Sequence, residues 1–104
     1  MLRDAFKMKL KPECVAEYKK RHDEIWPELL QAHTDVGISD YSIYFDEETL
    51  TLFAFRKLTE DNTADSMKEL EIVKKWWDYM ADLMEVHPNN MPKAKSLVEV
   101  FHMD

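Results

Sequence analysis

His22 stands between Tyr18 and Trp26, four residues from each, in the run YKKRHDEIWPELL. On a helix that spacing turns all three side chains toward one surface. Imidazole is the side chain whose ordinary pKa lies nearest neutrality, so it can take or give a proton there. Pro27 follows, lacking an N–H and crowding the carbonyl of Asp23, which predicts a kink or break between about His22 and Trp26. A break there puts His22 at a helix C-terminal end, where the dipole favours imidazolium, and Asp23, Glu24 and Glu28 push the same way. Spacing alone fits a solvated histidine on a charged face just as well.

The second group with chemical potential is WWDYMADLM. Trp77 falls on an apolar stripe with Val73 and Met84, while Trp76 lies about one hundred degrees away with Tyr79 and Leu83. Two adjacent indoles cannot both enter one helix-covered core, so one of them lines a groove or an interface. An indole offers a flat apolar wall and one donor, which suits a sugar ring or a subunit contact equally. Tyr41 and Tyr44 project to opposite faces of one strand, so at most one shares a pocket with His22. A phenol there could position a hydroxyl, donate a proton or pack in the core.

Other chemistries lack their residues. His22, His33, His87 and His102 show no HExxH or paired-cysteine spacing, which speaks against a metal. One glycine, Gly37, cannot build a phosphate-cradling loop, and no serine nucleophile motif occurs. A formal charge of −7 over 104 residues gives no basic excess for nucleic acid. Cys14 is the only cysteine, so no intrachain disulfide can form and a reducing, cytoplasmic setting is expected. The charged first twelve residues and the lack of a long apolar run predict neither a signal peptide nor a membrane span.

The elements that must hold these residues follow from periodicity. LRDAFKMKL alternates, with Leu2, Phe6, Met8 and Leu10 on one side, and reads as a half-buried strand. Pro12 opens a helical stretch, ECVAEYKKRHDEI, and Gly37 is expected to cap the helical region that follows. DYSIYFD and TLTLFAFRKL read as a hairpin. A long helix is expected from about Asp65 to Glu85, with Met67, Leu70, Val73, Trp77, Met80, Ala81 and Met84 as its stripe. SLVEVFHM is expected to close the chain as a strand. The order β-α-β-β-α-β is an α+β, ferredoxin-like arrangement: one domain over residues 1–104, an antiparallel sheet with two helices on one face. The hairpin carries large apolar groups on both sheet faces, so a second subunit is expected to cover the outer one.

Taken together, Y-x-x-R-H-D-E-I-W-P-E-L, the strand Y-x-I-Y-x-D, the helix W-W-x-Y-M-x-D-x-M and a later P-x-N resemble the L-rhamnose mutarotase family over nearly the whole chain. The resemblance implies a cofactor-free, metal-free isomerase that interconverts the α and β anomers of L-rhamnose, built as a homodimer of the dimeric α/β barrel type. It implies His22 as the acid/base residue and Tyr18, Tyr41, Trp76 and Trp77 as sugar contacts. His22 would protonate the ring oxygen while Tyr18, Tyr41 or a water handles the anomeric hydroxyl. Two other classes fit the same fold: a cofactor-independent or haem-binding monooxygenase, and a small-molecule-binding dimer without enzymatic activity.

Overall fold

The computed structural model describes residues 1–104. Strand β1 (Leu2–Lys9) leads to helices α1 (Val15–Asp23) and α2 (Pro27–Asp35), then to β2 (Ile38–Asp46) and β3 (Thr51–Leu58). A 3₁₀ turn (Ala64–Glu69), helix α3 (Glu71–Met80), a second 3₁₀ turn (Ala81–Leu83) and a short β4 (Lys95–Ser96) complete the chain. The sheet order is β2-β3-β1-β4 with every pairing antiparallel. That is the expected ferredoxin-like topology.

Alternation decides what the sheet buries. Leu2, Asp4, Phe6 and Met8 of β1 pair with Leu58, Arg56, Ala54 and Leu52 of β3, so one phase of each strand faces the helices. Leu52 and Ala54 are almost fully buried, as are Leu10, Leu29 and Met80. Burying one such leucine side chain is worth about 1.5–3 kcal/mol, so this layer supplies the rigidity on which the site rests.

On β2 the phase changes midway. Ile38 faces the helices, paired with Leu58, and so does Ile43, paired with Ala54. Even and odd positions can share a face only if one residue is inserted, and the register shifts between Ser39 and Ser42. Asp40 adopts φ +46° at this bulge, so two residues oppose Arg56 alone. Bulges re-aim side chains in this way. Here the bulge brings Tyr41 onto the helix-covered face.

Pro27 acts as the sequence indicates. Helix α1 stops at Asp23, Trp26 is extended at φ −64°, ψ 130°, and Pro27 is the first residue of α2, the helical position where a missing N–H costs nothing. Gly37 closes α2 with φ +92° and donates to the Thr34 carbonyl at 3.0 Å.

Two expectations are corrected. The long helix is broken at Leu70, which is extended at ψ 132°. Ala64 and Met67 before the break pack with Val36 and Ile38, whereas Met80 and Met84 after it join the main core. These are two separate clusters, and the break lets one segment serve both. The terminal strand is reduced to Lys95–Ser96. Regular pairing ends at Leu97, whose N–H donates to the Ala5 carbonyl at 2.9 Å. Val98, Val100, Phe101 and Met103 are each more than three-quarters exposed. Only Arg3–Glu99 at 2.8 Å ties this arm back.

Candidate active site

The last turn of α1 fixes His22. Its Nδ1 lies 3.0 Å from the carbonyl oxygen of Tyr18, and a carbonyl only accepts, so Nδ1 carries the hydrogen. In the neutral ring Nε2 is then the basic atom. The imidazole packs on the Tyr18 ring at 4.3 Å between centroids and meets Trp76 edge-on at 5.4 Å. This aromatic enclosure pushes the His22 pKa below its ordinary 6.5; desolvation outweighs the Tyr18 carbonyl and Asp23, which act upward, and His33 adds to the lowering. The expectation that the helix end and its acids favour imidazolium is therefore overturned. His22 rests neutral at pH 7.

Tyr18 is only 7% exposed, yet its hydroxyl makes no hydrogen bond within the chain and is not sealed from the cavity. Burial lifts its pKa above the ordinary phenol range. The Tyr41 phenol is pushed up to about 12, again by burial, with Arg56 opposing. Both are hydrogen-bond donors at neutral pH and poor proton acceptors. Of these three side chains, only the His22 imidazole is suited to take up a proton at neutral pH.

The place in the core expected of Trp77 is taken by Trp76. Trp76 packs against the main core and against His22, while Trp77, half-buried, belongs to neither core cluster. Both line the cavity. Trp26 does not reach it. Its ring stacks on Tyr79 at 5.6 Å and meets Trp76 at 5.1 Å, so it braces the wall from behind. Arg21 locks the same corner, with Nε on Glu17 at 2.8 Å and Nη1 both on Asp82 at 2.9 Å and on the Tyr79 carbonyl at 2.6 Å. Its guanidinium also lies 4.5 Å over the Tyr79 ring. Helix α1 is thus clamped to the end of α3, which holds His22 against Trp76.

The far side of the cavity comes from the sheet and α2. Tyr41 meets Phe6 at 6.3 Å and His33 at 5.7 Å. His33 repeats the arrangement of His22, with Nδ1 donating to the Leu29 carbonyl at 2.7 Å. Arg56 donates from Nε to Asp4 at 2.7 Å. The cavity, of about 1400 Å³, brings together His22, Tyr18, Tyr41, Trp76 and Trp77, all five residues expected at the site, and adds His33, Asp4 and Arg56. No cluster of three or more histidine, cysteine or carboxylate side chains is arranged to hold a metal ion. A neutral imidazole, protonated phenols and aromatic walls can move one proton on a bound polar ring.

Comparison with known proteins agrees over the full length. The sequence profile of the family described as L-rhamnose mutarotase matches residues 3–103. The L-rhamnose mutarotase of Bacteroides thetaiotaomicron is 57% identical over 104 residues, spanning all of both chains. That of a Jannaschia species is 54% identical over 99 residues, 95% of each chain. The crystal structure of the L-rhamnose mutarotase of Formosa agariphila matches with a TM-score of 0.93 at 53% identity, covering both chains completely. A Mycobacterium tuberculosis structure at 11% identity and TM-score 0.60, covering 98% and 97% of the two chains, shares the fold alone. With half or more of its residues shared with these mutarotases from end to end, the chain belongs to the L-rhamnose mutarotase family.

Proposed function

We propose that this protein interconverts the α and β anomers of L-rhamnose, with His22 as the proton carrier. The observation that carries the reading is the fixed Nδ1–H of His22 on the Tyr18 carbonyl, which leaves Nε2 basic at the edge of an aromatic cavity. Nε2 takes the anomeric proton as the C1–O5 bond breaks and its electron pair passes to the ring oxygen. The imidazolium then returns the proton to that oxygen. Rotation about C1–C2 and the same steps in reverse close the ring on the other face. Tyr18 and Tyr41 donate hydrogen bonds to the sugar oxygens, and Trp76 and Trp77 flank the ring. One positioned acid/base group gives about 10²–10⁴-fold, roughly 3–5 kcal/mol of barrier. That enhancement suits a reaction that water already supports.

Saturation-transfer NMR on L-rhamnose tests the activity directly. Irradiating one anomeric proton signal drains the other faster when the protein is present; exchange equal to buffer at high protein concentration rejects the proposal.

The pH dependence follows from the sign of the His22 shift. The base form is the active one, and its pKa is lowered by desolvation, so kcat/KM falls only as pH drops through a value below 6.5. Toward pH 8 the profile levels off. A midpoint above 6.5 in the exchange rates contradicts His22 as the desolvated base.

The protein acts as a homodimer in this reading, in rhamnose metabolism in the cytoplasm, where the lone thiol of Cys14 stays reduced. Tyr44 and Phe55 form an exposed aromatic pair on the outer sheet face, 5.8 Å between rings, and the apolar arm from Val98 to Met103 lacks cover in one subunit. Light scattering is expected to give twice the chain mass, and Phe55→Glu to reduce it to one. A wild-type monomer at micromolar concentration counts against the dimer.

A further inference from the structure

Asp4 and Arg56 occupy positions that the sheet otherwise reserves for apolar side chains. The neighbours in phase with Asp4 are Leu2 and Phe6, and those in phase with Arg56 are Ala54 and Leu58. The two residues stand directly opposite each other, joined by Arg56 Nε to Asp4 Oδ2 at 2.7 Å, with side chains only 20% and 31% exposed. For stability alone, an apolar pair of similar volume serves such a place as well or better. The fold therefore gives no reason for these charges. The cavity does, because both residues line it.

The pair is also incompletely used. Arg56 commits only Nε within the chain, and its two terminal nitrogens make no hydrogen bond there. Its planar group is held 5.1 Å from the Phe6 ring and 6.0 Å from the Tyr41 ring, so the fork is fixed before any ligand arrives. The β2 bulge sets Tyr41 against this same guanidinium. Asp4 offsets the positive charge, which disfavours a phosphate or carboxylate and suits a neutral diol, for which fixed donors and a nearby acceptor are both useful. Tyr18 beside His22 and Tyr41 beside Arg56 line the same cavity. The two poles therefore face one ligand.

We infer that Arg56, oriented by Asp4, reads the hydroxyls at C3 and C4 of the sugar, making this pair a specificity determinant. In a pyranose the C3–C4 bond lies opposite the C1–O5 bond. A ring with its anomeric end at His22 accordingly presents O3 and O4 to the opposite pole. The inference rests on the proposed mutarotase activity.

Exchange rates for L-rhamnose and for its 4-deoxy analogue, measured on wild type, Arg56→Met and Arg56→Lys, test it. Arg56→Met is expected to raise KM for L-rhamnose about 10–100-fold with kcat within a few-fold, the loss of hydrogen bonds from a charged donor. KM for the 4-deoxy sugar changes far less, so the preference between the two sugars collapses. Arg56→Lys keeps the charge beside Asp4 but not the fork, and moves in the same direction, which covers the case in which the Met variant does not fold. A preference unchanged in both variants, or an equal loss on both sugars, overturns the inference while wild-type exchange leaves the proposed function standing. Absence of L-rhamnose exchange in wild type overturns both.

Discussion

A His22→Asn protein folds and assembles like wild type but exchanges L-rhamnose anomers about 10²–10⁴ times more slowly, close to buffer alone. The size of the loss reflects the absence of a substitute. Tyr18 and Tyr41 hold their protons firmly, with Tyr41 near 12, so neither can collect the anomeric proton at neutral pH. His33 has the same locked Nδ1 on the Leu29 carbonyl, but it stands beside Tyr41 rather than against Tyr18 and Trp76. Structural damage should be small, because the His22 side chain contributes one local hydrogen bond, within its own helix. Saturation transfer gives the rate, and circular dichroism with light scattering verifies fold and assembly. Retention of most of the activity by His22→Asn would remove the histidine from the mechanism while leaving the family assignment untouched.

The second large effect concerns stability. Gly37→Ala is expected to cost roughly 2–6 kcal/mol, combining backbone strain of about 1–3 kcal/mol with overpacking of similar size. Gly37 sits at φ +92°, where a side chain is strained. A Cβ added there would collide with Thr59 Oγ1 and lie 3.2 Å from the Asn62 backbone. Space cannot be made cheaply, since Thr59 N–H donates to the Gly37 carbonyl at 2.9 Å and holds the two segments together. For a domain with about 5–15 kcal/mol in total, the loss should lower Tm by 10 °C or more, on the scale of about 4–8 °C per kcal/mol for a small domain. Thermal unfolding of Gly37→Ala, alone and combined with Thr59→Ala, separates the two causes: removing Oγ1 restores the crowding part but not the strain. A Tm within 2–3 °C of wild type, far below that scale, would show that the junction adapts.

The sequence made most of this architecture legible because its local signals agree with the fold. Alternation in β1 and β3, a proline at a helix start and a single glycine at a helix end each act within a few residues. The spacing of Tyr18 and His22 puts them on one face of α1, but the roles expected of Tyr18, His22, Tyr41, Trp76 and Trp77 came only with the resemblance of the whole set of motifs. Less legible were features that depend on packing between elements. Whether Trp76 or Trp77 joins the core depends on how α3 packs against its neighbours, and the break at Leu70 hides inside an unbroken helical pattern. The protonation of His22 is not legible in sequence: the helix dipole and nearby acids are visible there, whereas the aromatic enclosure that outweighs them is assembled from two helices. Asp4 and Arg56 did leave a signal: each is a charge in the apolar phase of its strand. His33 left none, since α2 is too short for its phase to single out that position.

The bulge at Asp40 can be described as a reading-frame shift in a two-letter code. Upstream of it, even-numbered residues of β2 point inward and seal the end of α2; downstream, odd-numbered ones do, and the first of these is Tyr41. One inserted residue lets a single strand carry two independent messages, one for the core and one for the ligand. Deleting Asp40 would restore a single frame along the strand, leaving Ile38 and Tyr41 two residues apart and still on one face, but without the local bend that the bulge gives the chain beside Arg56.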